Sequence, residues 1–454
     1  MKYQILTAGL AAILTLGGCS SAGMGGYGGG GDFGATQGGV QDMTLARSLV
    51  DEGKVPPAEA LIVEAMFSEH DLPLAGEPCE ETLCLRSALA IAPDAVGGSA
   101  AWVQVGMSST IDPDTYVRPT QTIVATVDVS GSMGWSYTGE NSPGALSEKL
   151  LHAIADRLHE GDRFAMVTFG SSSSVVLDLT PGSDQVRIHN AIDRLGTDGS
   201  TNMEAGMRTA YPLARSAVGE TDEVRVMVFS DYQPNVGSTT PTQFQNIAIE
   251  GSEDGVGLTL FGLGLGLGPD VMSAMSEIRG ANAFSLVNTE EVDGLMEDSW
   301  PWMVCPLAYD LSVTMLPSEG FTLAGSYGFP GEEGDPQAKL EVATVFLSRS
   351  KGAMLLELAP AGGPIDFAQA DLSLSYLKLD GTTVHEGLEA TYAGEPLDEA
   401  GKFMPQPGIE KTVALALLVS GMKQAAIFYS SDHDAGVALM ESVVERFAAD
   451  AIAI

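Results

Sequence analysis

Short apolar runs alternate with amphipathic stretches between residues 122 and 303, and no other feature of the chain constrains its fold as strongly. The apolar runs are expected to be strands, at 122–129, 163–169, 174–179, 224–230, 258–265 and 282–287. The amphipathic stretches are expected to be helices, at 144–160, 185–195, 202–218, 241–250, 270–279 and 290–303. Strands that alternate with helices form a mostly parallel sheet covered on both faces. The sequence therefore predicts an α/β fold class, with a doubly wound, six-stranded domain at 120–304.

The regions on either side of this domain have the pattern of a smaller β-rich module. Residues 44–70 show helical periodicity, and the chain closes with predicted helices near 407–428 and 433–450. Strands are expected at Leu85–Ile91, Trp102–Met107, Leu311–Met315, Leu340–Phe346, Met354–Leu358 and Leu372–Leu379. We expect the α/β domain to be flanked by, or inserted into, a module formed from an N-terminal part at 44–119 and a C-terminal part at 305–454.

The N-terminal residues have the form of an export signal. Met1-Lys2 precedes an apolar run from Ile5 to Leu16, which is too short to span a bilayer comfortably. The run ends in Leu16-Gly17-Gly18-Cys19, which resembles the lipobox of bacterial lipoproteins. The resemblance implies removal of residues 1–18, lipidation of Cys19 and attachment to a membrane through the lipid. The alternative is an ordinary signal peptide in which Cys19 is incidental.

The residue after the lipobox cysteine indicates the membrane to which a lipoprotein is delivered. Ser20 stands there rather than Asp, and the lipoprotein resemblance then implies the bacterial outer membrane, with the body at its periplasmic or cell-surface face. In a host with one membrane, the anchor would be the cell surface. Residues 19–43 are rich in glycine and are expected to be a flexible tether.

Three cysteines remain besides Cys19, and an exported protein meets an oxidising compartment. Cys79, Cys84 and Cys305 can form at most one disulfide. The local pair Cys79–Cys84 is favoured, but either of these residues paired with Cys305 stays open, because sequence alone does not fix connectivity. No histidine lies at metal-ligand spacing from Cys79 or Cys84, which disfavours a zinc site there.

The net charge of the chain restricts the classes of molecule that it can bind. The chain has 22 Lys and Arg against 60 Asp and Glu, a formal net charge of −38. This sign repels phosphate backbones, so nucleic acid is excluded as a partner. An excess of carboxylates favours divalent cations wherever several oxygens converge.

Oxygen-bearing side chains follow the predicted first and fourth strands of the α/β domain. Asp128, Ser130 and Ser132 lie at the end of the first strand, and Asp231 lies at the end of the fourth. Thr201 lies in the loop before a predicted helix. If strand order reverses between the first and fourth strands, these loops meet in the crevice at the carboxyl edge of the sheet. The alternative is that the hydroxyls only cap helices and Asp231 only ends a strand.

This Asp-x-Ser-x-Ser pattern, with a distant Thr and a distant Asp, resembles the metal-ion-dependent adhesion site of von Willebrand factor A (VWA) domains. The resemblance implies that Asp128, Ser130, Ser132 and Thr201 hold an ion directly or through water, and that Asp231 reaches it through a water or accepts a hydrogen bond beside it. The ion would be Mg²⁺ or Mn²⁺, since both favour oxygen ligands. One coordination position would accept an Asp or Glu carboxylate from a protein partner.

The last loop departs from the family pattern. VWA domains usually have Thr-Asp-Gly there, whereas this chain has Ser230-Asp231-Tyr232. The acidic residue is kept, and we expect Tyr232 to affect access to the ion or the choice of partner.

A second resemblance extends beyond the α/β domain. Arg47-Ser48-Leu49-Val50, Pro56-Pro57-Ala58 and Asn235-Val236-Gly237 are similar to segments of bacterial VWA lipoproteins that carry an uncharacterised C-terminal domain. It implies a cell-envelope lipoprotein that binds a protein through a divalent ion. The alternative is a structural or assembly component of the envelope in which the ion only stabilises the fold.

Enzymatic motifs are weak in this chain, and we expect it not to be an enzyme. Gly131-Ser132-Met133-Gly134 lacks the third glycine of a dinucleotide loop and the Gly-Lys-Ser/Thr of a P-loop, so no nucleotide is expected. No Gly-x-Ser-x-Gly motif of a serine hydrolase occurs together with a convincing catalytic His and Asp. His152 and His159 lie seven residues apart on one predicted helix, where a solvated face is the simplest interpretation.

Overall fold

A computed structural model gives the fold. It describes residues 32–33, 44–51, 53–68, 70–95, 97–111, 115–137, 141–197, 199–264, 271, 274–275, 278–298, 300, 302–330, 332–346 and 353–451. The predicted signal segment, Cys19 and most of the tether lie outside the described residues, as does much of the helix predicted at 270–279.

The described strands and helices follow one another along the chain. The strands are β1 (Asp32–Phe33), β2 (Cys84–Pro93), β3 (Ser99–Ser108), β4 (Gln121–Asp128), β5 (Arg163–Phe169), β6 (Ser173–Pro181), β7 (Glu223–Ser230), β8 (Val256–Leu263), β9 (Ala281–Leu286), β10 (Pro306–Pro317), β11 (Phe321–Tyr327), β12 (Ala338–Phe346), β13 (Met354–Pro360), β14 (Ala368–Lys378) and β15 (Thr383–Tyr392). The α-helices are α1 (Thr44–Asp51), α2 (Val63–Ser68), α3 (Pro143–Ala155), α4 (Gln185–Ile192), α5 (Met203–Arg215), α6 (Pro241–Glu253), α7 (Glu290–Asp298), α8 (Pro407–Ser431) and α9 (His433–Ala451). Short 3₁₀ turns lie at Ala58–Ala60, Gly131–Gly134 and Trp302–Val304.

The predicted α/β sheet is confirmed. Its six strands lie in the order β6-β5-β4-β7-β8-β9, and every pair is parallel except β5 with β6. The chain moves outward from β4 in one direction through β5 and β6, then returns to place β7 on the other side of β4. The reversal therefore falls between β4 and β7, the topological switch point at which doubly wound sheets bind ligands.

Both faces of this sheet are covered, which explains why its central strands are apolar along their whole length. All eight residues of β4 are buried. On one face, Val124 and Val226 pack with Met207 of α5 and Phe244 of α6. On the other, Ile123 and Val127 pack with Leu150 of α3 and Ile188 of α4. Parallel strands read as continuous hydrophobic runs when both faces are buried.

The remaining strands form two further antiparallel sheets. One has the order β1-β3-β13-β11, with β2 also paired to β3, and the other has the order β12-β10-β14-β15. Their facing apolar side chains, among them Leu89, Val103, Val313 and Leu356, form one core. Because Ala101–Val105 of β3 pairs with Met354–Leu358 of β13, one sheet contains chain from both sides of the α/β domain. The α/β domain is thus inserted into the β-rich module.

Helix α8 packs on the outer face of the first of these sheets, and α2 and α9 pack against α8. Trp102 and Leu355 on that face pack against Phe67 of α2 and Val419 and Met422 of α8. Helix α8 has the length and hydropathy of a membrane span, but 56% of its most apolar 18-residue stretch is buried inside the protein. In this structure α8 is a core helix of the module.

An ion pair connects the segment that leads from the module into β4 to the residue directly before β5. The Arg118 guanidinium binds the Asp162 carboxylate with two hydrogen bonds, one of them 3.0 Å long, and both side chains are buried. Asp162 also accepts bonds from the backbone N–H groups of Gln121 (2.8 Å) and His159 (2.6 Å). Burial alone would raise the pKa of Asp162, but these hydrogen bonds and the Arg118 charge hold it below its usual value.

The structure differs from the sequence prediction in three strands and in the ends of several helices. Strand β1 lies within the predicted flexible tether, and its residues Asp32 and Phe33 pair with Ser108 and Met107 of β3, so this part of the tether prediction is wrong. Strands β11 and β15 were not predicted, because most of their residues are only partly buried or exposed and no apolar run marks them. Helix α3 ends at Ala155, so His159 lies beyond it rather than on the same helix face as His152. The Cys79–Cys84 disulfide is present, with Cα atoms 5.6 Å apart, and Cys305 is buried as a free thiol.

Candidate metal centre

The first loop of the candidate site begins where β4 ends. Asp128 is 2% exposed, and its Oδ1 accepts a 2.8 Å hydrogen bond from the Ser130 N–H. The Ser130 and Ser132 hydroxyls lie 3.1 Å apart as the chain enters the 3₁₀ turn. One carboxylate and two hydroxyls are therefore gathered within five residues at the carboxyl edge of the sheet.

The second loop is held against the first by backbone contacts. The Gly131 N–H donates to the Gly199 carbonyl at 3.1 Å. Gly199 has a φ of +76°, and a Cβ there would lie 2.2 Å from the Ser171 hydroxyl, so glycine is required. The same Ser171 hydroxyl accepts a 3.0 Å bond from the Ser200 N–H, which places buried Thr201 next to the first loop.

The third loop closes the arrangement from the other side of the switch point. The Ser230 hydroxyl, at the end of β7, donates a 2.6 Å bond to Asp128 Oδ2. Asn235 accepts from the Thr201 N–H through its side chain (2.9 Å) and donates its own N–H to the Thr201 carbonyl (3.1 Å). Asp231, 3% exposed, lies between these two contacts along the chain. Each loop is thus bonded to the other two.

The electrostatics of the site favour a cation. Burial raises the pKa of Asp128 to about 6, although hydrogen bonds from Ser230 and Ser130 oppose the shift, and the nearby Asp231 charge adds to it. Within the described residues no Lys, Arg or His forms an ion pair with Asp128 or Asp231. Two buried carboxylates without a cationic partner are costly unless a metal ion lies between them.

The donor set fits a hard divalent ion. Asp128, Ser130, Ser132, Thr201 and Asp231, all predicted as a site from sequence, supply only carboxylate and hydroxyl oxygens, and four of the five are buried. Mg²⁺ and Mn²⁺ take such oxygens, whereas zinc sites favour nitrogen and sulfur. The structure brings the five residues to one edge of the sheet, and their role as ligands stays a prediction.

Tyr232 does not have the position that the sequence predicted for it. Its side chain is buried in the cluster under α5 and α6, and its hydroxyl donates a 3.1 Å bond to the Val228 carbonyl. It therefore points into the core and does not control access to the loops. Its φ of +54° explains why glycine is usual here, since few side chains tolerate that backbone conformation.

Three residues with positioning roles were not identified as such from the sequence. Ser230 binds the second oxygen of Asp128, Asn235 joins the second and third loops, and Ser171 supports the second. The sequence could have identified Asn235, since it belongs to a segment that resembles VWA lipoproteins. Ser171 lies in a run of serines that reads only as a turn.

Comparison with known proteins agrees with this topology. Residues 123–233 match the family model of the von Willebrand factor type A domain. The chain contains a VWA domain. VWA domains commonly bind protein partners, some of them through a divalent metal. The matched residues extend from β4 to the third loop and include all five predicted ligands.

Individual relatives and solved structures are distant in sequence. The uncharacterised protein YfbK of Escherichia coli is 26% identical over 271 residues, which are 58% of this chain and 46% of YfbK, so the chain matches about half the length of that relative. Among solved structures, a von Willebrand factor type A protein of Catenulispora acidiphila is 13% identical, with a TM-score of 0.47 over 84% of this chain and 89% of that one. The mussel byssus proximal thread matrix protein 1, with zinc in its adhesion-site motif, is 21% identical, with a TM-score of 0.31 over 39% of this chain and 44% of that one.

Proposed function

We propose that this protein binds a protein partner through a divalent ion held at the three loops of its VWA domain. The observation that carries the proposal is the mutual bonding of the loops, which brings the buried Asp128 carboxylate and four further oxygen-bearing side chains to one edge of the sheet. Asp128, Ser130, Ser132 and Thr201 would hold the ion directly or through water, and Asp231 would support it from the third loop.

The donor set also favours capture of a carboxylate. Three of the four residues that would hold the ion are neutral hydroxyls, and Asp128 is the one carboxylate among them, so Mg²⁺ or Mn²⁺ at this site keeps positive charge and attracts an anionic ligand. An Asp or Glu side chain of a partner protein is a hard oxygen donor that can complete the coordination. Asp128 is already fixed at both of its oxygens, so the site needs little reorganisation on binding.

An exposed aromatic residue beside the first loop supports a protein partner. Trp135 is 75% exposed, and its backbone N–H donates to the Ser132 carbonyl at 3.1 Å, so it lies directly after the proposed ligands. Tryptophan is enriched among the residues that dominate protein–protein binding energy. Trp135→Ala is expected to weaken partner binding at least tenfold while leaving metal affinity unchanged.

The location and chemistry of the protein belong to the same proposal. Lipidation at Cys19 would anchor it in the cell envelope, and the glycine-rich tether would hold the VWA domain away from the bilayer. The protein would not be an enzyme, since the candidate site offers oxygen ligands and no histidine or cysteine nucleophile in the described loops.

The test is calorimetric titration of the full chain, stripped of metal in EDTA, with Mg²⁺ and Mn²⁺. Saturable binding of one ion is expected, with loss in Asp128→Asn and retention in Asp178→Asn, a matched change at an exposed carboxylate of β6. Equal affinity in the two variants would overturn the proposal. Loaded protein would then be used to capture partners with and without EDTA.

The structural alternative makes a different prediction about the same residue. Asp128 joins the first and third loops, so an ion there could serve the fold alone. In that case Asp128→Asn lowers the melting temperature strongly and no partner is released by EDTA. The partner-binding proposal instead expects a nearly intact fold and loss of the partner.

A further inference from the structure

A second group of metal-ligating side chains lies between α3 and α4, far from the loops. Helix α3 carries Glu148 and His152 and ends at its C-cap Asp156, and α4 carries His189 and ends at its C-cap Asp193, each residue four positions after the one before it on the same helix. The two imidazole rings stack with their centroids 5.0 Å apart. His152 lies ten residues after the α3 N-cap Ser142, so the group is roughly 15 Å along the helix from the start of α3.

Each histidine faces a carboxylate on the opposite helix. His152 Nε2 lies 3.2 Å from Asp193 Oδ1, and His189 Nε2 lies 3.1 Å from Asp156 Oδ1. The two Nδ1 atoms are 2.7 Å apart, a hydrogen bond in which one ring donates and the other accepts. His189 Nε2 is also 3.0 Å from the Gln185 side-chain oxygen.

Two neutral rings cannot satisfy all of these contacts. A neutral imidazole carries one proton, so the ring that donates through Nδ1 presents a bare lone pair at Nε2. That lone pair would face a carboxylate oxygen. A metal ion at that Nε2 would bind both the lone pair and the carboxylate and so remove their repulsion.

The surrounding charges also favour a cation here. Asp156 and Asp193 are the C-cap residues of α3 and α4, so both carboxylates lie at the negative ends of helix dipoles. Glu148 adds a third carboxylate. In the described part of the chain, no lysine or arginine forms an ion pair with any of the three.

We infer that Glu148, His152 and Asp193 form a binding site for a transition-metal ion, with Zn²⁺ the best match. Their ligand atoms all lie within 4.8 Å of one another. Two ligands of a tetrahedral zinc ion with bonds of about 2.0–2.1 Å stand roughly 3.3 Å apart, close to the 3.2 Å between His152 Nε2 and Asp193 Oδ1. A mixed nitrogen and carboxylate set suits zinc better than Mg²⁺.

With zinc on His152 Nε2, each remaining ring proton has an acceptor. His152 donates Nδ1–H to His189 Nδ1, and His189 donates Nε2–H to Asp156 or Gln185. Metal-bound histidines usually donate their second N–H to such an acceptor, which fixes the ring and its tautomer. His189 is thus a positioning residue. The ion would join α3 to α4, and its remaining coordination position would be open to water or to a further ligand.

The experiment separates this site from the one at the loops. The full chain carrying Asp128→Asn is stripped of metal and titrated with Zn²⁺ in excess Mg²⁺, and binding of one zinc ion per chain is expected. His152→Gln in that background is expected to weaken zinc at least tenfold, and so is Asp193→Asn, which changes an exposed residue. His159→Gln removes a nearby exposed histidine outside the cluster and should leave zinc affinity unchanged.

Two outcomes would overturn the site: no saturable zinc binding in the Asp128→Asn chain, or equal affinity in His152→Gln and His159→Gln. Neither outcome bears on the proposed Mg²⁺ site, which is titrated separately.

The role of His189 is tested by Co²⁺ absorption and affinity. His189→Asn keeps an acceptor near the Nδ1 position and should retain the tetrahedral Co²⁺ spectrum, whereas His189→Ala should lose 10–100-fold in affinity.

Discussion

The Ser230 hydroxyl donates a 2.6 Å hydrogen bond to Oδ2 of Asp128, across the switch point between β7 and β4. Ser130 N–H occupies the other carboxylate oxygen at 2.8 Å. The carboxylate of Asp128 is therefore oriented by one residue from each of two loops. A side chain that orients a metal-binding carboxylate contributes to metal affinity without touching the ion.

Ser230→Ala is expected to weaken Mg²⁺ about 10–100-fold, because the Asp128 carboxylate loses its orientation. Stability should fall by about 1–2 kcal/mol, the cost of leaving a buried acceptor without its donor. Ser230→Thr is the matched control, since threonine keeps the hydroxyl, and it should retain wild-type affinity in the same titration. Equal Mg²⁺ affinity in the alanine and threonine variants would contradict this role.

Tyr232→Gly separates the backbone strain at this position from the packing. Glycine relieves the positive φ of 54°, a gain of about 1 kcal/mol, but it removes a fully buried aromatic ring, a loss of about 3–5 kcal/mol. Urea unfolding should therefore show a net destabilisation of about 2–4 kcal/mol. Mg²⁺ affinity should be nearly unchanged, and a large change in affinity would mean that Tyr232 belongs to the site after all.

The first loop of the site was predictable because a local pattern encodes it. The apolar run of β4 ends at Asp128, and parallel strands place such ends at one edge of the sheet. The Ser230 bond was not predictable, since it depends on the register of β4 against β7 and on a side-chain rotamer. Spacing within one helix likewise could not reveal the pairing of His152 with His189, which arises from the packing of α3 against α4.

The insertion of the VWA domain was only one of two arrangements that the sequence allowed. Both have the same strands at 84–93 and 354–360 and differ only in which strands pair. The pairing of β3 with β13 joins residues that lie some 250 positions apart in the sequence, and no local sequence pattern encodes such a contact. Strand β15 was missed because an exposed edge strand needs few apolar residues.

The raised pKa of Asp128 makes metal binding depend on pH. Its pKa is about 6 in the metal-free protein, and the ion requires the ionised carboxylate. Mg²⁺ affinity should be constant above pH 7 and fall about tenfold by pH 5. Because this folded-state pKa exceeds the usual 3.8, the contribution of Asp128 to the stability of the metal-free protein is greatest below pH 3.8 and is lost as the pH rises through 6. Added Mg²⁺ should therefore stabilise the protein most at pH 7–8, and calorimetry that finds one affinity from pH 8 to pH 5 would contradict the assignment.

Glu357 of β13 provides a pH effect away from the metal site. It lies opposite Trp102 and Gly325 in the module, and burial together with the Asp94 charge raises its pKa to about 7. Since the unfolded value is near 4.5, ionisation costs folding free energy as the pH rises from 4.5 through 7. Glu357→Gln should stabilise the protein by about 1–3 kcal/mol at pH 8 and have little effect at pH 4. Urea unfolding at the two pH values measures this difference, and a variant less stable than wild type at pH 8 would contradict it.

The domain insertion predicts which parts of the chain fold alone. Residues 120–304 contain both faces of the VWA core and are expected to fold, whereas 306–454 without 44–119 should not, because β13 loses β3. A chain that starts at residue 116 keeps Arg118 on Asp162 and should be more stable than one that starts at 120 by about 3–5 kcal/mol, the cost of breaking a buried ion pair. Arg118→Ala in the longer chain should abolish that difference in urea unfolding. Two halves that are each soluble and folded, or equal stability of the 116 and 120 starts, would contradict this account of how the module holds its inserted domain.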